Sequence, residues 1–318
     1  MSSHIIFRVA RKLMRKSPYT NEYVQYFDQQ ANDYILKAIN DATSGLMISK
    51  FGTIELDNVV CADVNAKGIT VNGYINALHG EYSIHTEEAL AKLCNNAGFF
   101  PEEKYLISRY VSLVKEDMKE IDILGSYIKA EKYIADGLSK NCVKVNLDGY
   151  YAPFLWKSPW TQVLKGKKVL VVHPFVESIK KQYEKREFLF EDKKVLPEFE
   201  RLYLIKAVQS MSGNGKNTGF SDWFEALQSM KAQMNTYDYD VALIGCGAYG
   251  MHLAAHAKRN GKIAVHLAGW TQMLFGVYGE RWIKDQPEYA RFINENWVRP
   301  ELNEKPQGAD SVEGGCYW

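Results

Sequence analysis

The residues best suited to chemistry fall in a few short stretches of the 318-residue chain. Gly245, Gly247 and Gly250 make a G-x-G-x-x-G turn between the apolar run 241–244 and a helical pattern over 251–259. Such a turn directs backbone N–H groups and a helix N-terminus at one point, where a phosphate or diphosphate can sit. It also lets a helix pack closely on a strand, and spacing alone leaves both readings open. A side chain at Gly247 is expected to block the approach of phosphates to the backbone. Tyr249 lies within the turn. Asn260-Gly261 ends the helix and 262–267 reads as the next strand. A dinucleotide site would place an acidic residue there for the ribose, about 20 residues past the turn. His266-Leu267-Ala268-Gly269 stands in that place without a carboxylate. This argues against NAD and leaves a phosphate cradle.

Glu55 follows the apolar run 46–49 and the turn Lys50-Phe51-Gly52-Thr53. A carboxylate at a strand exit can bind a divalent cation, take a proton or hold sugar hydroxyls. It can equally cap a helix opening over 54–62, with Thr53 beside it and the helix dipole favouring its charge. His173 follows the apolar run 167–172. It suits a phosphate contact or acid–base work, or else a hydrogen bond inside the sheet edge. Gln272 lies with Thr271, Gly276 and Gly279 in the loop after the 262–267 strand. Arg281 ends that loop, and its guanidinium can grip a phosphate with two donors or form a surface ion pair. His252 and His256 are one helical turn apart, but no third ligand or H-E-x-x-H pattern accompanies them, so no zinc site is expected. The chain has no G-x-S-x-G, Walker loop or C-x-x-C. Hydrolase, P-loop ATPase and thiol-redox readings therefore lack a motif.

These residues need a frame that gathers strand exits. Strands are expected at 46–49, 121–125, 143–146, 167–172, 241–244 and 262–267. Helices are expected at 54–62, 86–94, 102–119, 131–138, 178–190, 222–233 and 251–259. Residues 72–78 are ambiguous, and 202–210 is a strand or irregular. The alternation predicts an α/β, Rossmann-like fold, a mainly parallel sheet with helices on both faces. Ligands in such sheets bind at the carboxyl ends of strands. Residues 1–45 read as an N-terminal helical extension and 46–318 as the Rossmann-like domain, either a single α/β unit or two halves meeting near 150–165. The polar, glycine-containing stretch 212–219 is expected to be a mobile loop able to close over a ligand.

A net charge of +1 lacks the basic field that nucleic-acid binding requires, so no nucleic-acid partner is expected. The 20 Tyr and 7 Trp serve core packing or sugar-stacking surfaces. Five cysteines without C-x-x-C spacing suit free thiols in a reducing, cytoplasmic compartment. No apolar run reaches the roughly 18–20 residues of a membrane span. On a helical wheel, residues 5–16 separate Ile5, Ile6, Phe7, Val9, Ala10, Leu13 and Met14 from Arg8, Arg11, Lys12, Arg15 and Lys16. The pattern fits a helix lying on an anionic membrane, or one docked on the core with a solvated basic face.

Three segments taken in order carry a family resemblance: 49–56 (SKFGTIEL), 166–175 (GKKVLVVHPF), and 241–250 (VALIGCGAYG) with 266–282 (HLAGWTQMLFGVYGERW). Together they resemble a group of bacterial proteins found with surface-polysaccharide genes. That group is similar to the GT-D type glycosyltransferases, which carry an Asp-x-Glu motif in an R-[FY]-G-D-G-E-like context after a first strand. The resemblance spans about residues 46 to 282. It implies a nucleotide-sugar donor, a glycan or lipid-linked acceptor, and work at the inner face of the cell membrane. Glu55 matches the motif glutamate and is the implied catalytic residue. Thr53 replaces the motif aspartate and Lys50 its arginine, which weakens the implied Mn2+ or Mg2+ site at Glu55. Lys50, Gly52, Thr53, His173, Gly245, Gly247, Tyr249, Gly250, Gln272 and Arg281 are the implied donor-binding set. A non-catalytic sugar-nucleotide-binding protein of an assembly complex is the alternative, and an NAD-type oxidoreductase a more remote one.

Overall fold

The computed structural model describes residues 3–312 and 314–318, and side chains from Ile6 onward except Ser311. Seven strands form one parallel sheet: β1 (Leu46–Ser49), β2 (Ile123–Gly125), β3 (Val143–Val145), β4 (Lys168–His173), β5 (Arg201–Lys206), β6 (Val241–Ile244) and β7 (Ile263–His266). Their spatial order is β3-β2-β1-β7-β6-β4-β5. The chain steps outward from β1 to β3, crosses to β4 and β5, then returns through β6 and β7. β7 pairs with β6 on one side and β1 on the other. The segments before 150 and after 165 therefore share a single sheet.

Side-chain alternation sends successive strand residues to opposite faces, and here both faces are apolar. Met47, Leu124, Leu170, Val172, Ala242, Ile244 and Ala264 join one buried cluster. Ile48, Ile123, Val145, Val169, Val171, Leu243 and Val265 join the other. The helix Gly250–Arg259 lies on the first face, and its Leu253, Ala254, Ala255 and Ala257 are wholly buried. Small residues at Ala242 and Ala264 let that backbone come close. The helix Asp28–Asp41 contributes Ala31, Ile35 and Ile39 to the second cluster. Gln25 and Tyr26 bond to the free side of β3, and β5 carries exposed Arg201 and Lys206 at the opposite edge, so neither edge is a bare template.

Several local expectations change. Residues 131–138 are not an α-helix but two 3-10 turns, Lys129–Tyr133 and Ala135–Gly137. The buried Glu131 carboxylate accepts from the amides of Tyr127 (2.9 Å) and Ile128 (3.0 Å), tightening the turn. The ambiguous 72–78 stretch is a helix, Val71–Leu78, with Thr70 Oγ1 accepting from the Gly73 amide at 3.1 Å. The helix expected to reach 190 ends at Glu184. Residues 212–219 hold a 3-10 turn fastened by Asn214, whose amide donates to the carbonyls of Met211 (2.8 Å) and Gln307 (2.7 Å).

Candidate functional site

The carboxyl ends of the strands open into one cleft of about 660 Å³. Lys50, Gly52, Thr53 and Glu55 enter it after β1, His173 after β4, Gly245, Gly247 and Tyr249 after β6, and Gln272 and Arg281 after β7. The sequence-derived residues thus meet at one place, with a single exception. Gly250 does not line the cleft. A β-carbon there would stand 2.2 Å from His266 Nε2. The sister glycines are also constrained by packing. A β-carbon on Gly245 would lie 2.3 Å from the Ala268 carbonyl oxygen, and one on Gly247 would lie 2.8 Å from that of Ala97. Gly247 has φ +56°, in the left-handed region that favours glycine. A side chain at Gly247 would therefore meet the Ala97 carbonyl as well as block any phosphate brought to the turn.

Glu55 stands in the first turn of the helix Thr53–Lys67, its carboxylate folded back over Gly52. It is half-buried. Burial pushes the hydroxyls of Tyr110, Tyr127 and Tyr151 well above their usual range, and the charge of Glu55 adds to that in each. Lys50 faces the same floor with its Nζ 5.9 Å from the Tyr127 ring centre. Arg281 also lines the cleft, its guanidinium 4.5 Å over the Tyr317 ring and its Nη2 3.2 Å from Cys316 Sγ. Glu55, Lys50 and Arg281 thus line the same cleft.

His173 is buried, and its Nδ1 accepts the Phe175 amide at 3.0 Å. Burial lowers its pKa to about 3, so the ring is neutral and its proton sits on Nε2. It can donate a hydrogen bond to a ligand oxygen but is a poor base. Gln272 is buried, donates to the Tyr317 carbonyl at 3.3 Å, and leaves Oε1 unpartnered. Tyr249 forms part of the wall by packing: it stacks on Trp223 at 5.0 Å, and its hydroxyl meets Ser210 Oγ at 3.1 Å.

Sequence reasoning missed much of the aromatic wall. Tyr19, Tyr127, Tyr151, Trp270, Tyr317 and Trp318 all line the cleft. Tyr151 and Trp270 stack at 5.5 Å. Their only signal in the sequence was the abundance of Tyr and Trp, because these residues come together from five separate segments. The 212–219 loop does not line the cleft.

Among the described residues no group of three or more His, Cys, Asp or Glu is placed to hold a metal ion. Glu55 and Thr53 alone are too few oxygen ligands for Mg2+ or Mn2+. The described side chains do not fit a protein-held divalent site, and Lys50 and Arg281 are the basic residues that line the cleft. At the end of β7, where a ribose carboxylate would stand, is the buried ring of His266, with Ser49 Oγ 3.1 Å from its Nδ1. The fold is Rossmann-like and the site sits at strand exits, but the NAD pattern is incomplete. Comparison with known protein families, curated proteins and solved structures finds no match for this chain.

Proposed function

We propose that this chain is a glycosyltransferase that moves a sugar from a nucleotide-sugar donor to a glycan or lipid-linked acceptor in surface-polysaccharide assembly. The observation that carries the reading is one aromatic-walled cleft at the strand exits that Glu55, Lys50 and Arg281 all line. A nucleotide sugar needs charge compensation for its diphosphate, flat surfaces for base and sugar, and a carboxylate at the reacting carbon. Lys50, Arg281 and the Nε2–H of His173 would stabilise the diphosphate as its bond to the sugar breaks. Glu55 would take the proton of the attacking hydroxyl as the new glycosidic bond forms. Tyr151 and Trp270, stacked on each other and buried, close the wall, and the exposed Tyr19 ring would offer a stacking face.

The alternative of a non-catalytic sugar-nucleotide-binding subunit is favoured by one observation, Thr53 where a second carboxylate would help hold a metal. Thermal stabilisation by a panel of nucleotide sugars and NAD(P), followed by release of free nucleotide with acceptor present, tests both. Stabilisation with nucleotide release supports transfer, stabilisation alone supports the binding subunit, and a shift with NAD only overturns both.

The acceptor reading also places the protein against a membrane. No described helix is long and apolar enough to cross one. The helix Ser3–Met14 docks through Phe7, whose ring meets Tyr74 and His85 at 5.1 Å each. Ile6, Val9 and Leu13 stay exposed, Leu13 at 82%. Lys12, Arg15 and Lys16 are exposed with them, whereas Arg11 is half-buried toward Ser83 and Arg8 lies 3.8 Å from Glu88. The side chain of Ile5 lies outside the described residues. Docking and an outward apolar–basic face thus coexist, and that face suits anionic lipid.

A further inference from the structure

Behind the cleft floor lies a second, water-sized cavity of about 10 Å³, reached by Glu55 and lined by Tyr110, His252 and His266. His252 and Asp117 are both fully buried, with His252 Nδ1 2.6 Å from Asp117 Oδ2. Asp117 Oδ1 accepts from Arg259 Nη1 at 2.5 Å. A carboxylate at Nδ1 keeps a proton there and turns Nε2 toward the cavity as an acceptor. His266 has the complementary arrangement. Ser49 Oγ lies 3.1 Å from its Nδ1, and donation by that hydroxyl leaves the His266 proton on Nε2. Both Nε2 atoms are buried without a hydrogen-bond partner. Two unsatisfied nitrogens of opposite hydrogen-bonding sense, beside a carboxylate, are the surroundings in which a single buried water makes about three hydrogen bonds.

We infer that this cavity holds one ordered water joining His252 Nε2, His266 Nε2–H and the Glu55 carboxylate, and that His252, positioned by Asp117, is a proton store behind Glu55. The water accepts from His266 and donates to His252 and Glu55. When Glu55 has taken a proton, the acid gives it to the water as the water passes one of its own to His252 Nε2. An O–H bond breaks at Glu55, an N–H bond forms at His252, and the imidazolium faces Asp117. The reverse passage through Glu55 resets the pair. His252 touches no substrate in this scheme and acts through Glu55. Burial by itself would raise the Asp117 carboxyl, but the hydrogen bonds and charges of His252 and Arg259 outweigh it and hold the group below its ordinary value. That keeps a carboxylate ready for the imidazolium.

The direction of transfer rests on Glu55 being the base in the proposed reaction; the coupling does not, and it is measurable without substrate. The groups facing His252 are Asp117 and Tyr110 from the helix Tyr105–Asp117, Arg259 from its own helix, Lys231 behind Asp117, and Lys50, Glu55 and His266 across the cavity. The experiment follows the Glu55 side-chain carboxyl by 13C NMR across pH in the intact protein and in His252→Gln. Coupled groups titrate in shared steps. The Glu55 signal is expected to move in two steps in the wild type, the second coincident with the His252 ring, and in one step in the variant. A single, identical step in both proteins overturns the relay. Should the variant fail to fold, a high-resolution crystal structure of the wild type decides: an ordered water within hydrogen-bond reach of both Nε2 atoms supports it, and a dry cavity overturns it. Loss of two-step titration with sugar transfer intact would separate the relay from the transferase reading.

Discussion

The His266 ring lies directly beneath Gly250, so close that a β-carbon on Gly250 would stand 2.2 Å from Nε2. The last glycine of the G-x-G-x-x-G turn is therefore spoken for by the end of the neighbouring strand. His266 has little room to yield, since Ser49 holds its other nitrogen and the Tyr150 hydroxyl donates to its carbonyl. Gly250→Ala is expected to lower stability by about 1–3 kcal/mol, the cost of overpacking a filled core. Denaturant unfolding measures it, and an unchanged midpoint would show that the ring can move aside.

Gly247→Ala should also lower stability, by about 1–2 kcal/mol from the left-handed backbone alone, with the Ala97 carbonyl contact adding to it. Calorimetry on the folded variant then separates two roles. A donor affinity unchanged within error would make the turn a packing device, whereas a tenfold or larger loss would add a ligand contact.

Glu55→Gln should abolish nucleotide release from whichever nucleotide sugar stabilises the wild type. As a first-turn helix residue it carries a stability effect of no more than about 0.5–2 kcal/mol. Normal turnover in the variant would remove Glu55 from the reaction.

Acid should weaken the fold before most carboxylates titrate. His173 takes a proton only near pH 3 when folded, but near the ordinary histidine value of 6.5 when unfolded. Burial drives His266 in the same direction, with Lys50 and His252 adding to it. Between these values the unfolded chain binds more protons, so stability falls as pH drops below about 6.5, by on the order of 1 kcal/mol per unit for each such group. The denaturant midpoint should decline from pH 7 to 5, and His173→Gln should flatten that decline. An equal slope in both proteins would mean that His173 takes up its proton without unfolding.

The outward face of the helix Ser3–Met14 should bring the protein to anionic vesicles at low salt. Each basic residue near such a surface contributes on the order of 1 kcal/mol, and salt screens it. Leu13→Glu changes an exposed position and should reduce vesicle co-sedimentation about tenfold without altering the unfolding midpoint. Equal sedimentation of both proteins, or of neither, would leave the helix a structural element alone.

The sequence by itself determined the α/β class, the places of most strands and the loops that hold the candidate site. Apolar runs such as Val241–Ile244 and turn residues such as Asn260-Gly261 act over a few positions, so they are legible locally. Period-two alternation could not reveal that β7 inserts between β6 and β1, because a strand buried on both faces is apolar at every position and carries no mark of its neighbour. Tertiary structure alone decided which side chains meet. It brought Glu55 and Arg281, 226 positions apart in the sequence, into one cleft with Lys50. It gathered Tyr19, Tyr127, Tyr151 and Tyr317 into one wall and put Asp117 behind His252. It also showed that the turn glycines are required by Ala97, Ala268 and His266. A glycine pattern records that a backbone must come close to something, and only the packed chain shows what that something is.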